Sequence, residues 1–134
     1  MEMEITFPGG AKVNAEFEGL VVKTDQPPSG GGEGSAPTPF DLFLASIGTC
    51  AGIYVLGFCR QRGISTEGVS LTQSHRVNPS TGMIDRIDVT IDLPADFPHE
   101  YIEAVVRSAN LCAVKRLMAD PPAIEVTANA VGGA

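Results

Sequence analysis

Between Asp41 and Arg60 the chain carries no charged residue: positions 42–59, LFLASIGTCAGIYVLGFC, are eighteen consecutive uncharged and mostly apolar residues. No other segment restricts the fold as strongly, because a helix apolar nearly all round needs cover on every side. The residues in front of it read as a helix start. Thr38 is placed to cap, Pro39 stands at the first helical position and Asp41 at the third, a variant of the capping box. The spacing predicts one long helix from Pro39 to about Arg62, ended by Gly63 where positive φ is tolerated. Eighteen such residues touch the lower limit of a membrane span. Ser46, Thr49, Cys50 and three glycines weaken that reading, and the flanking segments read as a soluble amphipathic domain. The expectation is therefore a central helix wrapped by sheet, with no membrane partner. Gly48 and Gly52 form a G-x-x-x-G pair, which predicts a close backbone approach at a helix crossing, between subunits for example.

The flanks alternate. Val13, Ala15 and Phe17 take turns with Asn14, Glu16 and Glu18, and after Gly19 comes the apolar run Leu20-Val21-Val22. Residues 24–37, TDQPPSGGGEGSAP, read as an internal loop. Beyond the helix, Val69, Leu71, Gln73, His75 and Val77 share one strand face, which makes His75 a core or interface histidine. Asn78 to Gly82 turns the chain into a second strand with Ile87, Val89, Ile91 and Leu93 on one face. Asp96 is the expected cap of a second helix whose stripe runs Tyr101, Ile102, Val105, Ala109 and Cys112. Lys115 to Met118 continue it, or form a short helix, until Asp120-Pro121-Pro122 stops it. Ile124, Val126, Ala128 and Ala130 predict a last strand. Strands, helix, strands, helix and strand give an α+β fold with largely antiparallel sheet, and 134 residues suit a single domain, 1–134. Nine Lys and Arg against sixteen Asp and Glu leave a charge of −7 with no basic run, which disfavours nucleic acid as a partner. The opening MEMEITFPGG has neither a basic nor an apolar leader region, so a cytoplasmic location is expected.

Three cysteines, Cys50, Cys59 and Cys112, are too few for a disulfide scaffold and contain no C-x-x-C. With His75 and His99 the only histidines, no metal site is expected. Cys50 and Cys59 are nine helical residues apart, on opposite faces and about 13.5 Å along the axis. They cannot bridge while the helix holds, since bridged Cα atoms lie within about 7 Å. Any cooperating pair within the chain must then include Cys112. Cys50 is its better partner, because Cys59 nears the exposed, Arg-flanked helix end. The alternative is that all three are small buried hydrophobes.

The segment Ala36-Pro37-Thr38-Pro39-Phe40-Asp41-Leu42-Phe43-Leu44-Ala45-Ser46-Ile47-Gly48-Thr49-Cys50 resembles the central-helix motif of the OsmC/Ohr family, in which a Pro-led helix runs to a cysteine. Ala109-Asn110-Leu111-Cys112-Ala113-Val114 resembles the family's second cysteine segment, and the element order matches over nearly the whole chain. The resemblance implies an OsmC-like α+β fold with antiparallel sheets around a long buried helix, built as an intertwined homodimer with sites at the subunit interface. It implies a thiol-dependent peroxidase: Cys50 peroxidatic, Cys112 resolving, a small-molecule hydroperoxide as substrate, a thiol as reductant, and neither cofactor nor metal. A pocket lined by Phe40, Phe43 and Tyr54 would suit organic hydroperoxides. A peroxidatic thiol in apolar surroundings needs a cation or donor nearby. In the hydroperoxide-resistance branch this is an Arg of the N-terminal strands held by a Glu ten residues before the cysteine. Here the first Arg is Arg60 and Phe40 stands in the Glu position, which leaves Lys12 or Lys23 as the activating cation. The other reading on the same scaffold is a non-peroxidatic protein that binds a small hydrophobic or thiol-containing ligand.

Overall fold

The computed structural model describes residues 1–130. Strands β1 (Glu4–Gly9), β2 (Lys12–Phe17) and β3 (Leu20–Thr24) form an antiparallel sheet in that order. Phe17 pairs with Leu20 across a two-residue turn, Glu18-Gly19, in which both φ values are positive (50° and 76°). That is the hairpin turn whose twist matches its strands, and it explains why Gly19 stands there.

The loop after β3 is tied into a knot around Asp25, which is 1% exposed. Its carboxylate accepts hydrogen bonds from the backbone N–H groups of Gln26 (2.7 Å), Ser35 (3.0 Å) and Glu33 (3.4 Å), and from the Ser35 hydroxyl (2.5 Å). Gly32 lies so close to Asp25 and to the carbonyl of Gln26 that a Cβ there would collide with both. Four donors on one carboxylate favour its charged form, led by Ser35, and hold it at about 2.

Helix α1 (Pro39–Gln61) begins and ends as its sequence predicts. Thr38 Oγ1 accepts the N–H of Asp41 (3.1 Å), and Gly63 takes φ 66° while the N–H of Ile64 closes on the Cys59 carbonyl (2.9 Å). The expectation of burial on all sides is not met. Only Ala51, Val55, Phe58 and Cys59 are fully buried, a stripe at helical spacing, whereas Phe40, Phe43 and Ile53 are exposed. The remaining faces of α1 are half-buried or exposed in the single chain. Within the chain the G-x-x-x-G pair meets no second helix: Gly48 faces the Gln73 side chain of β4, and among the described residues nothing lies within 4 Å of a Cβ built on Gly52.

Strands β4 (Ser70–Val77) and β5 (Ile84–Asp92) form the expected hairpin, closed where the Asn78 N–H meets the Met83 carbonyl (2.7 Å). A single 3-10 turn, His99–Tyr101, leads into α2 (Ile102–Ala109), and α3 (Ala113–Ala119) follows. Asp96 does not cap α2. It lies in the turn closed by the Phe97 N–H on the Pro94 carbonyl, and Pro98, with its fixed φ, sets the helical entry two residues later. Residues 121–130 form no strand, and Ile124 (85%) and Val126 (92%) stand in solvent. Alternation makes a segment competent for a sheet, but it becomes a strand only beside a free edge to pair with.

The chain divides into two compact units, one of residues 1–49 and 72–89, the other of residues 50–71 and from 90 onward. The first holds the three-stranded sheet, the Asp25 loop and the start of α1. The second is organised around Val55, Phe58, Cys59, Phe97 and Val105, with Ile64, Val69, Leu71, Ile91 and Leu93 packed against them.

Candidate functional site

All three thiols fall in the second unit, and their surroundings separate them. Cys59 is fully buried in its apolar core rather than near an exposed helix end, because the last turn of α1 turns that side toward Phe97 and Val105. Burial pushes its thiol up, with Arg62 opposing. Arg62 is itself occupied, lying 3.7 Å over the Phe58 ring and donating to the Phe58 carbonyl (3.1 Å). A desolvated thiol of this kind is a packing residue. Cys50 lies midway along α1 and is half-buried. Cys112 is 2% exposed and stands at the N-cap of α3, where its carbonyl accepts the N–H of Arg116 (3.1 Å). All three cysteines are free thiols.

Tyr54 links the two segments. It sits one helical turn after Cys50 on the same face of α1. Its backbone carbonyl accepts from the Ser108 hydroxyl (3.5 Å), and its own hydroxyl meets the Arg116 guanidinium (3.4 Å). Ser108 and Arg116 stand four residues before and four after Cys112. The side chain next along from Cys50 thus lies against the stretch that has Cys112 at its midpoint. The sequence marks Arg116 only as a cation close behind Cys112, and its contact with Tyr54 spans 62 residues, out of reach of any local pattern.

The other sequence candidates lie in the first unit. Phe40 and Phe43 stack with centroids 6.1 Å apart and form an exposed aromatic pair at the start of α1. Lys12 is engaged: its ammonium lies 3.1 Å from the Glu33 carboxylate, on the loop that Asp25 holds. Lys23 is exposed on β3, opposite Asn14 of β2. His75 is exposed rather than buried, because the inward pattern of β4 stops at Gln73. The Gln73 amide reaches the Leu44 carbonyl of α1 (2.9 Å) and lies 2.7 Å from His75 Nε2. Among the described residues no three His, Cys, Asp or Glu side chains gather in a metal-holding cluster.

A long apolar helix bearing one thiol at mid-length, and a short helix with another at its N-terminal boundary, define an α+β protein with two candidate redox cysteines. Residues 32–127 match the family model described as OsmC-like protein, and the chain belongs to that family. Solved structures with the same fold include the Psychrobacter arcticus 273-4 protein named for osmotic stress induction and detoxification response (18% identity, 85% of each chain, TM-score 0.71). The organic hydroperoxide resistance protein OsmC of Legionella pneumophila aligns at 25% identity over 88% of this chain and 89% of that one, with TM-score 0.54. OhrB of Bacillus subtilis, an organic hydroperoxide resistance protein, aligns at 18% identity over 90% and 93%, with TM-score 0.52. No curated protein matches in sequence.

Proposed function

We propose that this chain reduces organic hydroperoxides through Cys50 and Cys112, as a cytoplasmic homodimer that draws its electrons from a thiol. The observation that carries the reading is the contact of Tyr54 with Ser108 and Arg116, which sets the Cys112 segment beside the turn that follows Cys50. The Cys50 thiolate attacks the outer oxygen of the hydroperoxide. An S–O bond forms, the O–O bond breaks, and the alkoxide leaves with a proton from solvent as the alcohol. The Cys112 thiolate then attacks the sulfenic sulfur. The S–S bond forms, the S–O bond breaks, and hydroxide leaves and is protonated to water. A dithiol reductant returns both cysteines to thiols. Nothing in these steps requires a metal or organic cofactor. Half-burial suits Cys50 to meeting a substrate, and deeper burial suits Cys112 to meeting only the sulfenic acid.

A second copy would finish what one chain leaves open. Phe40, Phe43 and Ile53 of α1, and Ile124 and Val126, stand in water in the single chain, and a self-complementary interface would cover them. The test is Cys50→Ser in thiol-supported hydroperoxide turnover: consumption should fall to the enzyme-free rate, and unchanged consumption would end the proposal.

A second reading has its own observation. Lys12 already faces Glu33, so its charge is largely offset, and no Arg precedes Arg60 to serve a thiolate. A protein that holds a hydrophobic or thiol-containing ligand needs no such cation. It would carry ligand mass after gentle purification and consume no peroxide.

A further inference from the structure

We infer that Arg116 and Tyr54 form a clamp that positions Cys112 for attack on oxidised Cys50, which makes both of them positioning residues for disulfide formation. The inference rests on the two-thiol reading above and gives a role in resolution to the contact that carries it. Three observations converge on it. Arg116 lies one turn after Cys112 on α3, and its N–H closes on the Cys112 carbonyl, so the thiol and the guanidinium belong to one short rigid turn. The guanidinium reaches the Tyr54 hydroxyl at 3.4 Å, and Tyr54 lies one turn from Cys50 on a 23-residue helix. On the other side of Cys112, Ser108 at the end of α2 donates to the Tyr54 backbone. The stretch 108–116 is therefore attached to α1 at both ends, with Cys112 between the two points.

The chemistry gives such a clamp a use. A sulfenic acid left waiting meets a second hydroperoxide and goes on to the irreversible sulfinic acid. Which fate wins depends on how often the resolving thiol stands within reach. Cys112 heads a helix of only seven residues, which cannot hold its place by its own hydrogen bonds. A contact from that helix to α1 raises the effective concentration of the Cys112 sulfur at Cys50 without touching the substrate.

The test compares Tyr54→Phe, Arg116→Gln, Arg116→Lys and the Tyr54→Phe/Arg116→Gln double variant with the parent protein. Reduced protein is treated with graded cumene hydroperoxide, and non-reducing peptide mapping reports the ratio of Cys50–Cys112 disulfide to Cys50 sulfinic acid. The clamp predicts that the ratio falls several-fold in Tyr54→Phe and Arg116→Gln, while in Arg116→Gln, which lies outside the substrate pocket, the first loss of the Cys50 thiol proceeds at the parental rate. Arg116→Lys should recover part of it, and the double variant should be no worse than the poorer single one, since the two groups act as a unit. An unchanged ratio in folded variants would overturn the inference. A parallel arm uses diamide, whose N=N bond takes two electrons and two protons from two thiols and so closes the disulfide without peroxide. If the parent closes Cys50–Cys112 with diamide several-fold faster than the variants but is inert to hydroperoxide, the clamp stands and the peroxidase reading falls. If parent and variants close at one rate, or the parent does not close, the clamp falls.

Discussion

Asp25 and Cys59 show at the scale of single residues how much depends on surroundings that no spacing reveals. Asp25 reads in the sequence as one acid in a Gly- and Pro-rich loop, yet it is the buried charge on which that loop closes. Its carboxyl is held at about 2 against an ordinary 3.8, so the linkage has a definite sign. The charged form stabilises the fold fully above the unfolded value, and that contribution is lost as pH falls toward 2. Thermal melts of the parent and Asp25→Asn should accordingly differ by several degrees at neutral pH, and the gap should close as the buffer approaches pH 2. Cys59 has the opposite character: burial pushes its thiol up and walls it off. N-ethylmaleimide should label Cys50 first in the native protein and reach Cys59 only after denaturant is added, as peptide mapping of the alkylated sites will show.

At the scale of elements, the end signals of α1 were readable because they are local. Thr38, Pro39, Asp41 and Gly63 act within four residues of one another or of the helix end, and the helix starts and stops where they place it. Thr38→Ala should cost about 1 kcal/mol of unfolding free energy by urea titration, the ordinary value of an N-cap. The β4–β5 hairpin and the β2–β3 turn were readable for the same reason, since alternation and turn residues sit side by side. What failed depended on distant partners. Residues 124–130 alternate as a strand should, but pairing needs an edge that the sequence does not locate. Asp96 has the chemistry of a cap, but Pro98 decides where the helix turns in. The sequence offers Cys50 and Cys112 as candidates by their order, whereas the link through Tyr54, Ser108 and Arg116 is not legible in it. The Asp25 loop offers the sharpest test of a close approach. Gly32→Ala has to displace backbone rather than a side-chain tip, so it should destabilise by about 1–3 kcal/mol in the same titration.

At the scale of the whole molecule, the account joins an OsmC-like fold to a two-thiol redox function completed by a second copy. The proposed homodimer would cover the exposed side chains of α1 and of residues 124–126. Light scattering should return twice the mass of one chain, and Val126→Lys, which places a charge on that stretch, should shift the population toward monomer. The central claim is chemical, however, and one experiment reaches it most directly. Reduced protein is given one equivalent of an organic hydroperoxide, quenched, and its peptides are mapped by mass spectrometry without reduction. The account predicts rapid appearance of a single Cys50–Cys112 disulfide with Cys59 still a free thiol; Cys50 and Cys112 recovered unmodified after that treatment would contradict it.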